Sequence, residues 1–396
     1  AIAIAAAAAE VAAGQHDQQF PVDIFQTGSG TSSNMNANEV VANLAAERLG
    51  SPVHPNDHVN LGQSSNDVVP TAIHVSVLLL WQRELQPALQ VLVASLARRE
   101  AELASVTKTG RTHLMDAMPL TFGQEVSAWR AQVVLAEARL SDAAARLAQL
   151  AQGGTAVGTG INCHVEFPLR FCAELSRLTS VRFGPASNYF AALSSQATAL
   201  EWSAQLRGLA VELLKICNDL RWMNSGPLAG LAEIELPALQ PGSSIMPGKV
   251  NPVIPEAVAM AAAQIIGWDS AVTIAAQSGN FQLNVMLPLI ANNLICATRL
   301  SAAGVRSLAV QAIDGFNVRG AEVAARLARN PVLATALNPL VGYDQAARIA
   351  KRAFAEGRTV LEIAIEETDL GRDVLQRALD PSRLTQSGRD GSDQPQ

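Results

Sequence analysis

Gly242-Ser243-Ser244-Ile245-Met246-Pro247-Gly248-Lys249-Val250-Asn251-Pro252 packs two hydroxyls, one cation and one carboxamide into a stretch punctuated by Gly and Pro. A long Ala-rich apolar segment follows at once. A core segment would be apolar throughout, and a plain linker would lack Ile245 and Met246. Small polar groups on a mobile backbone mark a binding and catalytic loop. Lys249 is its only charge, which leaves a structural ion pair as the alternative reading. Ser243, between Gly242 and Ser244, lies where a hydroxyl can approach a ligand. No G-x-S-x-G elbow surrounds it, which argues against an acyl-transfer serine.

The sequence on either side of this loop is dominated by helix formers. Hydrophobic residues make up 49% of the chain but aromatics only 4%, β-branched alternation is scarce, and Ala, Leu and Gln favour helix. The expected fold is all-α. A first helix should end near Gly14 and a second, over 36–49, should close at Gly50. A third runs from Val68 to Ala104, with Pro70 in its first turn and a kink at Pro87. Further helices are expected over 122–151, 166–179, 189–224, 254–278 and 284–315. Several are apolar on more than one face, so they should be buried on all sides, in a bundle that continues into partner subunits.

After Asn317 the pattern turns to charge and shorter helices, with Asn330-Pro331 and Asn338-Pro339 as turn signals. The expected domains are 1–62, 63–318 and a small helical domain at 319–396, whose Ser/Asp/Gln-rich tail from Thr385 reads as disordered. The chain begins without Met inside a helical pattern, so an upstream segment is expected to be missing.

A net charge of -6 and the lack of a Lys/Arg cluster exclude nucleic acid as a partner. No uninterrupted apolar run reaches the roughly 20 residues of a membrane span, and the Ala1–Ala9 run lacks the basic flank of a signal peptide. Cys163, Cys172, Cys217 and Cys296 form neither a CxxC pair nor a Cys/His metal pattern. They read as buried reduced thiols in a reducing, cytoplasmic compartment.

Four other polar tracts carry candidate chemistry. Thr27-Gly28-Ser29-Gly30-Thr31-Ser32-Ser33-Asn34 lacks the Lys of a phosphate loop and the third Gly of a dinucleotide fingerprint. It is either a helix cap or a carboxylate cradle. Gly62-Gln63-Ser64-Ser65-Asn66-Asp67 has the same chemistry, and capping explains only one or two of its residues, which favours anion binding at helix N-termini. In Gly110-Arg111-Thr112-His113-Leu114-Met115-Asp116, His113 is either a satisfied structural residue or an acid/base group beside a hydroxyl. The tract GGTAVGTGIN, from Gly153 to Asn162, reads as a close-packed turn.

Together these tracts, with HPND at His54–Asp57, resemble the signature regions of the fumarase/aspartase superfamily, and more closely the class II fumarases, over about Ala1–Leu384. GSSIMPGKVNP is the most specific of them. The resemblance implies a three-domain, mainly helical subunit. Five long central helices would assemble with those of three other subunits into a twenty-helix homotetramer core, each active site drawing on loops of three subunits. It implies reversible anti addition of water to fumarate, giving L-malate, without metal or cofactor.

By that similarity Ser243 is the base that takes the C3 proton, and His113, partnered by Glu256, handles the departing water. Lys249 and Asn251 hold the carboxylate that gains charge. Ser29, Thr31, Ser64, Ser65, Asn66 and Thr112 fix the dicarboxylate, with main-chain help at Gly30, Ser244 and Val250. His54, Asn56 and Asp57 match a second dicarboxylate site, although Ser51-Pro52 replaces the arginine expected upstream. Leu228 stands where relatives have a basic residue. The nearest rival is an aspartate ammonia-lyase, favoured by the run Asn251–Glu256 and opposed by His113 and Gly248; a non-catalytic member of the fold would be expected to lose some of Ser243, His113, Lys249 and Asn251.

Overall fold

The computed structural model describes residues 1–240 and 245–386. Ser243 and Ser244 lie outside the described residues, as does the tail from residue 387 on. The expected all-α character holds. In chain order the helices are α1 (Ile2–Ala12), α2 (Thr31–Leu49), α3 (Ser65–Leu80), α4 (Gln86–Glu102), α5 (Phe122–Leu147), α6 (Phe167–Thr179), α7 (Tyr189–Ser194) and α8 (Ala197–Met223). There follow α9 (Val253–Gln277), α10 (Leu287–Leu308), α11 (Gly320–Ala328), α12 (Asn338–Val341), α13 (Tyr343–Glu356), α14 (Val360–Glu367) and α15 (Arg372–Ala378).

The kink expected at Pro87 takes the form of a π turn over Trp81–Leu85 joining α3 to α4, closed by Gln86 N–H on the Trp81 carbonyl. Proline has no N–H, and its ring crowds the carbonyl four residues back, so a widened turn just before it relieves both problems.

Chain contacts define two compact units. The first comprises Ala1–Leu89, Leu135–Leu214 and Ala259–Val305. Its core ties α8 to two other helices. Trp202 is fully buried, stacks edge-on against Trp81 with ring centroids 5.6 Å apart, and donates Nε1–H to Thr298 Oγ1 at 3.1 Å. One turn away, buried Asp269 of α9 accepts from Ser203 Oγ and Arg207 Nη1, both at 2.7 Å. That pairing keeps a carboxylate tolerable inside an otherwise apolar helix. By length and composition alone α9 is long and apolar enough to cross a membrane. Only 28% of its apolar window is buried in the chain, and Met260 and Ile274 stand exposed.

The second unit comprises Gln90–Val134, Lys215–Val258 and Arg306–Gln396. Here buried Trp129 of α5 donates Nε1–H to Asp219 of α8 at 3.1 Å, and Arg130 Nε reaches Glu100 of α4 at 2.6 Å. The segments from α11 to α15 gather a cluster of their own around Leu333, Leu337, Ile349, Ile363 and Leu375. Between α4 and α5 the chain is not a loop but an antiparallel hairpin, β1 (Thr107–Thr112) and β2 (Met115–Thr121). Its two-residue turn, His113-Leu114, has φ of 56° and 60°. Left-handed φ at both central positions gives the twist that closes a tight hairpin.

Candidate active-site elements

In the first unit the two Ser/Thr-rich tracts meet. Ser29 Oγ lies 2.7 Å from Thr31 Oγ1, which lies 2.8 Å from Ser65 Oγ. Three expected ligand residues thus form one chain of hydroxyls at the starts of α2 and α3. The N-cap of α2 is Gly30, in the left-handed region at φ 73° and with no side chain to cap the helix, and Gln26 Oε1 accepts from Ser33 N–H of the first turn at 3.0 Å in its place. Gly28 lets this loop pack flat: a Cβ there would lie 1.6 Å from the Val285 carbonyl oxygen, and its own carbonyl accepts from Leu287 N–H at 3.0 Å.

The second tract divides its labour. Ser64 and Asp67 make a capping box for α3, Ser64 Oγ accepting from Asn66 N–H and Asp67 Oδ1 from Ser64 N–H at 3.0 Å. Asp67 is fully buried, and its Oδ2 accepts from Gly153 N–H at 3.0 Å and Thr155 N–H at 2.9 Å. Asn66 Nδ2 donates to the Ala156 carbonyl at 2.8 Å. The glycine-rich tract is therefore a close-packed turn, as expected, and also the floor that holds Ser64–Asn66 in place. Gly153 has φ 107°, and a Cβ on it would meet Pro168 at 2.3 Å. Burial pushes the Asp67 carboxyl above its usual range, and the N–H groups of Ser64, Thr155 and Gly153 offset part of that.

The second unit carries the other three elements. His113 is exposed at the hairpin tip beside exposed Thr112. Behind the tip lies an ion cluster that no sequence motif announced. Buried Glu233 accepts from Arg111 Nη1 and Nη2, both at 2.6 Å, and lies 2.8 Å from Lys108 Nζ. Lys108 is itself 1% exposed, bonded to Glu125 at 2.6 Å and seated 4.4 Å from the Phe122 ring centre. Burial drives the Glu233 carboxyl upward, but Arg111 and Lys108 outweigh it and hold the group below the ordinary glutamate range. Burial likewise lowers the Arg111 guanidinium, and Glu233 more than restores it.

Residues 245–252 present Ile245, Met246, Lys249, Val250 and Asn251 to solvent, with Gly248 at φ 83°. Among the described residues Lys249 meets no carboxylate within ion-pair distance, so the structural ion pair open on sequence grounds does not form among them. Glu256 lies half-buried in the first turn of α9. Among the described residues no hydrogen bond or ion pair links His113 with Lys249, Asn251 or Glu256. At the HPND tract, His54 Nδ1 accepts from the N–H groups of Asn56 and Asp57 at 3.2 and 3.1 Å and lies 3.3 Å from Asp57 Oδ2, so the three residues chiefly satisfy one another on an exposed turn. All four cysteines are free; burial raises the thiols of Cys172 and Cys217 to about 11 and about 12, which suppresses the thiolate.

Residues 1–267 match the family model described as Lyase, and residues 333–386 the model described as Fumarase C C-terminus. A relative from Xylella fastidiosa named fumarate hydratase class II is 61% identical over 97% of this chain and 81% of its own length. A Pseudomonas aeruginosa relative named fumarate hydratase class II 2 is 58% identical over 94% of this chain and 81% of its own. The crystal structure of a class II fumarase from Schistosoma mansoni superposes with a TM-score of 0.93 at 38% identity, covering 97% of this chain and 84% of that one.

Two outcomes test these elements. Asp67→Ala orphans three N–H donors and should cost about 1–3 kcal/mol of stability. Amide exchange at Gly153 and Thr155 should quicken with it, and unchanged exchange would show that the carboxylate is not their anchor. Because the Glu233 carboxyl is depressed in the folded state, its contribution is fully present above the ordinary glutamate pKa of about 4.3 and lost as pH falls through the lower folded value. The stability gap between the wild type and Glu233→Gln in denaturant titrations should be constant above about pH 5 and narrow below it.

Proposed function

The chain belongs to the class II fumarase family of lyases, and from that premise we propose that it catalyses the reversible addition of water to fumarate, giving L-malate. The observation that carries this is 61% identity over nearly the whole chain to a relative named for that reaction. The retention of Ser243, His113, Lys249 and Asn251 supports a catalytic rather than a purely structural protein.

Removing a proton beside a carboxylate leaves an aci-carboxylate with extra negative charge, and stabilising that charge is the main task. Lys249 and Asn251 take this role; that Lys249 has no carboxylate partner among the described residues supports it, since a neutralised cation would have little field to offer. The linked hydroxyls of Ser29, Thr31 and Ser65, with Ser64, Asn66, Thr112 and the main chain at Gly30, Ser244 and Val250, orient the dicarboxylate. Ser243 takes the C3 proton, its alkoxide held by N–H donors of its own loop. His113 exchanges the proton of the water, with Glu256 as its carboxylate partner.

Among the described residues His113 makes no hydrogen bond or ion pair with Lys249, Asn251 or Glu256, which supports an active site assembled from several subunits. So do the exposed apolar residues of the long helices, Leu135 on α5, Val211 on α8 and Met260 and Ile274 on α9. We take the assembly to be a homotetramer of three-domain subunits with a shared helical core. Four free thiols fit a reducing, cytoplasmic setting.

Fumarate absorbance in the ultraviolet should rise with malate and stay flat with aspartate. Turnover of aspartate alone would reverse the assignment to an ammonia-lyase. Ser243→Ala should lower kcat by about 100-fold or more while the light-scattering mass stays that of a tetramer; near-normal kcat would remove Ser243 as the base, and a monomeric mass for the active protein would remove the shared site.

A further inference from the structure

The hairpin that carries His113 is aimed by a device its own turn does not supply. On a regular strand, residues three apart point to opposite faces. Lys108 and Arg111 of β1 are three apart, yet both reach the Glu233 carboxylate. The ladder is irregular between them: from the Thr109–Pro119 pair to the Arg111–Asp116 pair β1 advances two residues and β2 three, so a bulge in β2 opposite Gly110 sharpens the local twist. Gly110 sits at the shift, where a Cβ would lie 2.6 Å from the Met118 carbonyl oxygen. Arg111, paired with Asp116, is thus the rung next to the Thr112–Met115 rung that carries the tip, and its guanidinium is the last anchored group before His113.

The anchor itself is fixed. Glu233 N–H donates to the Met223 carbonyl at 2.8 Å, and its own carbonyl accepts from Arg319 N–H at 2.9 Å, while Ile234 and Glu235 pair with Val318 and Asn317. Further along the chain come the exposed residues 245–250, with Lys249 among them. His113 and Leu114 hold left-handed φ, a conformation that persists in residues other than Gly only where the surroundings enforce it.

We propose that Glu233 is a positioning residue: by clamping Arg111 with a bidentate pair it sets the direction in which His113 is presented, and it ties that hairpin to the segment feeding the Lys249 and Asn251 loop. The effect on turnover rests on the hydratase reading with His113 as the acid/base group; the effect on the hairpin does not. Arg111→Lys keeps the charge against buried Glu233 but loses the fork, and Glu233→Gln keeps the shape but loses the charge.

Per folded protein, each variant should lower kcat for malate by about 10- to 100-fold with KM within about twofold, since small misplacements of a reacting group cost rate rather than binding. The double variant should fall no further than the worse single. Hydrogen exchange across Thr112–Met115 should quicken in Arg111→Lys at unchanged tetramer mass. Normal kcat with unchanged exchange, multiplicative losses in the double variant, or a rise in KM alone would each overturn the proposal. A wild type inert towards malate would instead sink the hydratase reading, leaving the exchange measurement to decide the clamp.

Discussion

A carboxylate taken out of water must be met by donors, and that constraint organises both halves of this chain. Asp67 in one unit and Glu233 in the other are buried acids at the edge of polar tracts, and each is satisfied by groups far away in sequence. Asp67 gathers main-chain N–H groups from the start of α3 and from the glycine-rich turn. Glu233 gathers two cations from one strand. In both cases the buried charge fixes a tract that carries candidate site residues.

The helices supply the frame on which these loops stand. Trp202 and Asp269 in one unit and Trp129 in the other fasten α8 to its neighbours by hydrogen bonds inside apolar surroundings. Such contacts demand specific partners, so they fix the register of long, otherwise repetitive Ala-rich helices. The departures from helix are where the candidate chemistry sits: the glycine-led start of α2, the hairpin between α4 and α5, and the loop before α9. Glycine permits each one, at Gly28 and Gly110 by close approach and at Gly248 by positive φ.

The hydroxyl chain belongs to the first unit, and the His113 tip and the Lys249 segment to the second. Leu135 on α5, Val211 on α8 and Met260 and Ile274 on α9 leave apolar surface exposed on the long helices. In the proposed tetramer the hairpin and the loop of one subunit would serve different active sites, so the Glu233 clamp would join two sites rather than the two halves of one.

The all-α class, the positions of the long helices and every polar tract were legible in the sequence, because helix propensity, capping residues and Gly/Pro punctuation act over a few neighbouring residues. Ser64 with Asp67 could be read as a cap for the same reason, as could a disturbance at Pro87. The β1–β2 hairpin, the bulge in β2 opposite Gly110 and the two buried-acid clamps were not. Lys108, Arg111 and Glu233 each look like ordinary surface charges along the chain, and only their meeting across about 120 residues makes them an ion cluster. Propensity is a sum of short-range terms, whereas desolvating a charge is settled by whatever the fold brings within hydrogen-bonding distance, and that contact exists only in three dimensions.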